Sequence, residues 1–80
     1  MQLEIITPDK TLFEGTARSV TLPGSAGGFQ LLENHAPIIS TLKNGQIKIV
    51  TDADTQTIDI SSGVVEMLKN KVIILAEPAK

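Results

Sequence analysis

Apolar and polar residues alternate along much of this chain, in short runs separated by turn residues. In residues 57–60, Ile58 and Ile60 alternate with Thr57 and Asp59. A period of two places the apolar side chains on one face of a β-strand. No window of 11 or more residues has the 3.6-residue period of an amphipathic helix. Val, Ile and Thr, which favour strands, supply 23 of the 80 residues. The pattern therefore predicts an all-β chain.

The runs recur about every eight to ten residues, which is typical of a sandwich or barrel. Turns are predicted at residues 8–10, 52–54, 61–63 and 69–70, and Asn44-Gly45 predicts a hairpin between residues 38–42 and 46–51. We predict a small antiparallel β-sandwich or flattened barrel of about nine to ten short strands, with no C-terminal helical hairpin. It forms a single domain over residues 1–80, in which residues 76–80 are a polar tail.

Composition excludes several classes of function. Cysteine is absent, which rules out thiol catalysis, thiolate metal sites and disulfides. The net charge is −2, the seven basic residues are dispersed, and two Phe are the only aromatic residues, so nucleic-acid binding is not predicted. No apolar run approaches the roughly 20 residues that span a bilayer. The start of the chain has no basic region before an apolar run, so no signal peptide is predicted.

The glycine-rich segment over residues 23–28 raises the question of phosphate binding. A phosphate loop connects a strand to a helix N-terminus and closes with Lys-Ser or Lys-Thr. Here the segment leads into Phe29-Gln30-Leu31-Leu32, without the lysine and without a helical pattern. We therefore interpret the glycines as turn residues with positive φ, and we expect no bound cofactor.

His35 is the only histidine, and it raises the question of catalysis or metal binding. A metal site would need carboxylates, of which only Glu33 is near in sequence. Five serines and nine carboxylates leave a catalytic triad open, although no serine lies in a Gly-x-Ser-x-Gly elbow. A lone histidine beside Asn34 and Pro37 is more often a corner residue satisfied by backbone groups. We predict no catalytic residue and no metal site. Asp52 and Asp54 flank a turn and are interpreted as solvated capping residues.

A swinging-arm carrier is a different alternative. Lipoyl and biotinyl carrier domains have this size and are all-β, with one modified lysine at a tight turn. Lys10 is the nearest candidate, but it lacks the Met-Lys-Met context and lies near the N-terminus; Lys43 and Lys69 also border turns. Ordinary solvated lysines account for these positions as well.

An interaction surface is the remaining interpretation of residues 22–42. Ala36-Pro37-Ile38-Ile39 is apolar beside a proline, which cannot donate a hydrogen bond to a sheet and so marks an edge or corner. The glycines of residues 24–28 allow close approach by another chain. Apolar edges are usually covered, and a partner is the simplest cover.

The same segment resembles the epsilon subunit of the rotary ATP synthase, called delta in mitochondria. The resemblance covers residues 3–76 and is carried by three groups of residues: Leu22-Pro23-Gly24 with Gly27, Phe29 and Leu32; Asn34-His35-Ala36-Pro37 with Leu42 and Gly45; and Leu12-Phe13-Glu14-Gly15 with Ser61-Ser62-Gly63-Val64-Val65-Glu66. It implies a β-sandwich in the central stalk, a non-catalytic rotor part that passes torque from a proton- or sodium-driven ring to catalytic sites elsewhere.

The resemblance also implies partners and contact residues. His35, Ala36, Pro37 and Ile38 would face the gamma subunit. The c-subunit ring would be faced by Thr7, Ser25, Ala26, Gly27 and Gly28. The chain would be monomeric within the complex, peripheral to the cytoplasmic face of a bacterial inner membrane.

Three positions depart from the family's pattern. Gly28 replaces a common acidic residue, Glu33 a frequent proline, and Ser62 a glycine. Most members also continue into a C-terminal helical hairpin that inhibits ATP hydrolysis. No amphipathic helix follows Ala76, so the resemblance implies a short form without that inhibition.

Overall fold

A computed structural model describes residues 1–79, all in strands and connecting turns. There are eight strands: β1 (Gln2–Ile6), β2 (Thr11–Thr16), β3 (Ser19–Leu22), β4 (Phe29–Leu32), β5 (Ile38–Leu42), β6 (Gly45–Val50), β7 (Thr55–Leu68) and β8 (Lys71–Pro78). The predicted all-β class is confirmed, and no helix occurs in the described residues. The predicted count of nine to ten strands is wrong, because the runs on either side of residues 61–63 belong to a single strand, β7.

The alternating residues build one core. Inward positions from seven strands are almost completely buried, and Met1 and Ala17, which lie outside the strands, join them: Met1, Leu3, Ile5, Ala17, Val20, Leu22, Leu31, Leu42, Ile47, Ile49, Ile60, Val65, Met67, Val72, Ile74 and Ala76. Leu12 and Phe13 of β2 pack against this cluster from its margin. Because burial of each large apolar side chain contributes about 1.5–3 kcal/mol, this cluster is the main source of stability.

The 14-residue strand β7 holds the sheet together. The strand order is β2-β1-β8-β7-β6-β3-β4, and β5 also pairs with β7. The first part of β7 pairs with β6, from Thr55 to Ile60. Its second part lies between β5 and β8, so that Gly63 pairs with Leu42 on one side and Ala76 on the other.

A bulge in β7 explains why the sequence suggested a turn there. The register with β8 shifts between Ile60 and Ser62, which leaves Ser61 as an extra residue. One extra residue inverts the alternation, so the inward residue is Ile60 before the bulge and Val65 after it. The predicted turn at residues 61–63 is therefore wrong. Small residues are present there because a Cβ at Gly63 would lie 2.8 Å from the carbonyl oxygen of Leu75.

The predicted Asn44-Gly45 hairpin is also wrong. β5 and β6 do not pair with each other; both pair with β7. Among residues 1–79 the positive φ angles occur at Gly27, Asn34, Lys69 and Asn70, so Asn44-Gly45 does not form a type I′ turn. A glycine is favoured at position 45 by packing instead, since its Cβ would lie 2.8 Å from Cβ of Pro23.

The terminal strands lie side by side. β1 pairs with β8 in parallel, from Gln2 beside Lys71 to Ile6 beside Leu75. The prediction of an antiparallel fold is wrong at this pair, because strands separated by most of the chain can align in either direction. β8 continues to Pro78, and Ala76 is buried, so the predicted tail at residues 76–80 is shorter than expected. Lys80 lies outside the described residues.

Gly63 provides a test of the three-strand centre. We expect Gly63→Ala to lower the free energy of unfolding by about 1–3 kcal/mol, because the added methyl group would overlap backbone atoms that cannot move aside. Urea unfolding followed by circular dichroism measures this change. Gly15→Ala is the matched control in strand β2, where the nearest atom would be 3.7 Å away. Equal stability of the two variants would contradict the packing described.

Candidate docking surfaces

The corner at residues 33–37 follows β4. Its conformation is set by a turn after Leu32 and by a hydrogen bond to the β7–β8 turn. The amide of His35 donates to the carbonyl of Leu32 at 3.1 Å, and Asn34 between them has a φ of 61°. Asparagine tolerates this left-handed conformation better than most residues. The amide of Asn34 donates to Oδ1 of Asn70 at 2.8 Å, which ties the corner to the β7–β8 turn. The corner is thus fixed by backbone geometry, although its side chains are exposed.

His35 is a corner residue, as the sequence predicted. Its Nδ1 lies 2.7 Å from the carbonyl oxygen of Ala36, and the side chain is exposed. Within residues 1–79 no group of three or more His, Asp or Glu side chains could hold a metal ion. The hydrogen bonds of His35 involve neither a serine nor a carboxylate. This geometry gives no support to nucleophilic catalysis at His35.

The residues after the corner divide into inward and outward positions. Ala36 and Pro37 are exposed, whereas Ile38 is half-buried and packs against the core. The outward residue is Ile39, whose side chain is 72% exposed. Sequence reasoning included both isoleucines in the apolar edge, but it named Ile38 as gamma-facing and did not identify the outward orientation of Ile39. The alternation could have found it, because counting back from buried Leu42 places position 39 outward.

Glu33 forms an ion pair that anchors the corner. Its Oε1 lies 2.9 Å from the α-ammonium group of Met1, which also donates to the carbonyl of Ala17 at 2.9 Å. The methionine side chain is buried, while Glu33 is 57% exposed. This pair joins the start of β1, the β2–β3 connection and the corner. Glu33 is therefore used for a contact within the chain.

The glycine-rich loop is closed by its own hydrogen bonds. The amide of Gly27 donates to Gly24 at 3.0 Å, and the amide of Ser25 donates to the carbonyl of Thr41 at 3.0 Å. The Ser25 hydroxyl accepts from the Thr41 hydroxyl at 2.8 Å. These amides do not converge on an anion site, and the predicted turn is confirmed. Gly27 supplies the positive φ, at 136°, whereas Gly24 is needed because its Cβ would lie 2.5 Å from Gly27 oxygen.

Thr7 is buried in the β1–β2 turn rather than presented to solvent. It is 6% exposed, and its hydroxyl both donates to the carbonyl of Lys10 at 3.0 Å and accepts from the Lys10 amide at 3.2 Å. The exposed residues of this turn are Pro8, Asp9 and Lys10. Thr7 therefore shapes the turn, and the neighbouring residues form its surface.

The two sets of predicted contact residues lie at opposite ends of one sheet. Leu75 of β8 pairs with Val64 of β7, Val64 pairs with Thr41, and Ser25 bonds to Thr41. The turn that contains Thr7 follows β1 at this same end, because Ile6 pairs with Leu75. We call the end formed by this turn and by residues 23–28 the loop end.

The corner lies at the other end of β5. Ile38 pairs with Met67, and the β7–β8 turn beside it contacts Asn34 through Asn70. We call this the corner end. Met67, the partner of Ile38, and Gly63, the partner of Leu42, are four residues apart along β7, which is about 13 Å at 3.3 Å per residue. The fold thus separates the two sets along a single continuous strand.

A second ion pair lies beside Glu33, near the corner. Nε of Arg18 donates to Oδ1 of Asp52, and the side chains are 71% and 80% exposed. The hydrogen bond to Asp52, with its charge, raises the pKa of Arg18. Arginine is protonated at all ordinary pH values, so no pH dependence follows. Asp54 accepts from the Thr51 hydroxyl at 2.9 Å in the same turn.

Comparison with known proteins identifies the family. Residues 1–80 match the β-sandwich domain of the ATP synthase delta/epsilon chain. The chain belongs to this family. It is 41% identical to the ATP synthase epsilon chain of Chlorobaculum tepidum over 76 residues, which are 94% of this chain and 86% of that one. The epsilon chain of Campylobacter lari is 44% identical over 80 residues, 99% of this chain and 62% of that one.

Solved structures of low sequence identity have the same fold. A chain in the Euglena gracilis mitochondrial ATP synthase OSCP/F1/c-ring structure has a TM-score of 0.86 at 17% identity. The match covers 92% of this chain and 48% of that one. A chain in the central stalk/c-ring structure of the Tetrahymena thermophila enzyme has a TM-score of 0.82 at 14% identity, covering 95% and 62%. This chain therefore spans about half to two thirds of these two neighbours.

Family membership decides between the classes left open by the sequence. The resemblance to the epsilon subunit is confirmed, as is the β-sandwich. An epsilon-type chain is a subunit of ATP synthase and not a catalytic one, so the prediction of a non-catalytic subunit is confirmed on that basis. The family gives no support to the lipoyl or biotinyl carrier. No helix in the described residues is long and apolar enough to cross a membrane.

Glu33→Gln tests whether the ion pair positions the corner. We expect a loss of less than about 1 kcal/mol in the free energy of unfolding, because one partner is largely exposed. We also expect faster amide hydrogen exchange at His35 and Asn34, since the segment loses its anchor. NMR measures both. Asp59→Gln is the control, an exposed carboxylate outside the ion pairs of the described residues. Unchanged exchange in Glu33→Gln would contradict the anchoring role.

Proposed function

We propose that this chain is a rotor subunit of the central stalk of ATP synthase. It docks on the gamma subunit through His35, Ala36, Pro37 and Ile38, and on the c ring through Ser25, Ala26, Gly27 and Gly28. It couples ion-driven rotation, by protons or sodium ions, to ATP synthesis at sites on other subunits. It acts as one copy per complex, peripheral to the cytoplasmic face of a bacterial inner membrane.

One observation supports this proposal above the others: two exposed, internally braced surfaces lie at opposite ends of the same sheet. A part that transmits torque must contact what drives it and what it drives. It must also resist deformation between them. Strands β5 and β7 run from the corner end to the loop end, and a single buried core packs beneath them. Close-packed interiors have low compressibility and transmit strain, which suits the role.

The burial of Ile38 and Thr7 leads us to extend the proposed set of contact residues. Ile38 contributes to the core as well as to the surface, so its outer neighbour Ile39 extends the gamma-facing surface. Thr7 belongs to the loop end through the turn that it holds, and Pro8 is the exposed residue beside it. The neighbours from c-ring-containing structures support assembly with the rotor, since their chains share this fold.

Pro37→Asp tests the corner. We expect affinity for purified gamma subunit to fall by about 30-fold, because a charge would replace an apolar group at the centre of the interface. The isolated fold should keep its thermal midpoint, since Pro37 is exposed and lies before β5. Isothermal titration calorimetry measures the affinity. Thr57→Asp, an exposed position on the first part of β7, is the control. Wild-type affinity in Pro37→Asp would reject the corner as the gamma surface.

Ala26→Trp tests the loop end separately. The bulky side chain should displace the c ring and reduce its co-sedimentation with the chain in the presence of gamma. Binding to gamma alone should stay within two-fold of wild type, because the corner lies at the other end of β5. Pro37→Asp should give the reverse pattern. Loss of gamma binding in both variants would mean that the two ends do not serve different partners.

A further inference from the structure

The dipeptide Asn44-Gly45 connects β5 to β6, and its asparagine is exposed. It does not form a hairpin, because β5 and β6 pair with β7 and not with each other. The dipeptide has a chemical property that is independent of turns. Asparagine is a thermolabile residue, and a following glycine has no Cβ to shield its amide nitrogen from the asparagine side chain. The connection between β5 and β6 is therefore chemically labile.

The three asparagines of the chain differ in how far their surroundings protect them. Asn70 is half-buried, its Oδ1 accepts from the amide of Asn34 at 2.8 Å, and Lys71 follows it. Asn34 is exposed but is followed by His35. Asn44 takes part in none of the side-chain hydrogen bonds within residues 1–79. It thus combines a carboxamide that no hydrogen bond holds with the least hindered neighbouring nitrogen.

We propose that Asn44 is a modification site, at which the folded chain loses ammonia and forms an isoaspartate linkage. The nitrogen of Gly45 bonds to Cγ of Asn44, and the Cγ–Nδ2 bond breaks as ammonia leaves with the proton of that nitrogen. Water then opens the five-membered imide ring. Breaking the ring at Cγ gives aspartate, and breaking it at the main-chain carbonyl carbon gives isoaspartate. No atom is oxidised or reduced, and water is the reactant consumed.

The surroundings of Asn44 are open to the water that this reaction needs. Asn44 and Asp59, both exposed, line the same shallow pocket on the surface. Gly45 begins β6, and its pair with Ile60 is the outermost pair of the β6–β7 ladder, where strands open most easily. Either product places a new carboxylate in the pocket that Asp59 lines, so the modification adds like charge there.

Asn44 lies between two contacts that hold the glycine-rich loop of residues 23–28. On one side of it, the amide of Lys43 donates to the carbonyl of Pro23 at 2.8 Å. On the other side, a Cβ at Gly45 would lie 2.8 Å from Cβ of Pro23, so the two residues are in close contact. Isoaspartate inserts one more carbon atom into the main chain between these contacts. Because both involve Pro23, they cannot both keep their geometry, and the loop is loosened.

The loosened loop is the one that faces the c ring in the proposed function. Isoaspartate at position 44 therefore weakens docking at the loop end. The corner lies at the other end of β5, so binding to gamma is preserved. This effect on the c ring rests on the proposed function, whereas the modification of Asn44 does not.

Storage of the purified chain in warm, mildly alkaline buffer tests the modification. Peptide mass spectrometry measures the conversion of each asparagine, and enzymatic methylation of the free α-carboxylate detects isoaspartate. We expect Asn44 to be converted about ten-fold faster than Asn34 and Asn70, which corresponds to a barrier lower by about 1.4 kcal/mol. Circular dichroism confirms that the stored chain is folded. Equal conversion at the three positions, or an unmodified Asn44, would overturn the proposal.

Matched variants separate the inserted carbon from the new charge. Hydrogen exchange at the amides of Ser25 and Gly27 should be about ten-fold faster in the stored wild type than in fresh protein. It should stay unchanged in stored Asn44→Ser, which cannot form isoaspartate. Asn44→Asp has the charge with a normal main chain, and it should exchange like fresh wild type. Faster exchange in stored Asn44→Ser would trace the loosening to another site and reject the role of Asn44.

Co-sedimentation with the c ring in the presence of gamma distinguishes this inference from the proposed function. Stored wild type should lose the ring, while stored Asn44→Ser retains it. If fresh wild type does not sediment with the ring, the proposed function is overturned, and the peptide map still decides the modification. If the stored chain carries isoaspartate but exchanges and sediments like fresh protein, the loosening of the loop is overturned.

Discussion

The pairing of β7 with three other strands is the constraint on which the rest of this structure depends. Its first part completes the sheet with β6, and its second part lies between β5 and β8. The bulge at Ser61 allows this by inverting the inward face midway, so that both parts contribute to one core. Gly63 then permits the close approach of the β8 backbone and of the Leu42 side chain. The corner end and the loop end are both defined by position along this strand.

Local pattern predicted most of the elements, and pairing accounts for the errors. The alternation over residues 57–60 and the Lys69-Asn70 turn gave strands and a turn where the structure has them. Ser61-Ser62-Gly63 and Asn44-Gly45 were misinterpreted, because small residues and glycine serve close packing as often as they serve turns. Partner strands distant in sequence decide between the two uses. The parallel β1–β8 pair has no local signal at all.

The candidate surfaces were predictable in kind but not in membership. Apolar residues beside Pro37, and the family motifs around it, predict docking from the sequence alone. Ile38 points inward and Ile39 outward because of which face of β5 is buried. Thr7 is buried because its own hydroxyl closes the β1–β2 turn. The alignment of Glu66 with Glu4 and Glu14 across β8 could not be predicted, because β7 lies far from β1 and β2 in the sequence. Only the register brings them together.

The parallel pairing of the first and last strands has a mechanical consequence. Tension that draws Met1 and Pro78 apart acts lengthwise on β1 and β8, across the direction of their hydrogen bonds. The hydrogen bonds along all five register pairs from Gln2 to Ile6 are then loaded in shear at the same time. An antiparallel hairpin pulled at its open end would instead separate one bond at a time. The parallel direction of this pair thus makes β1 and β8 resist such tension through all of their shared hydrogen bonds.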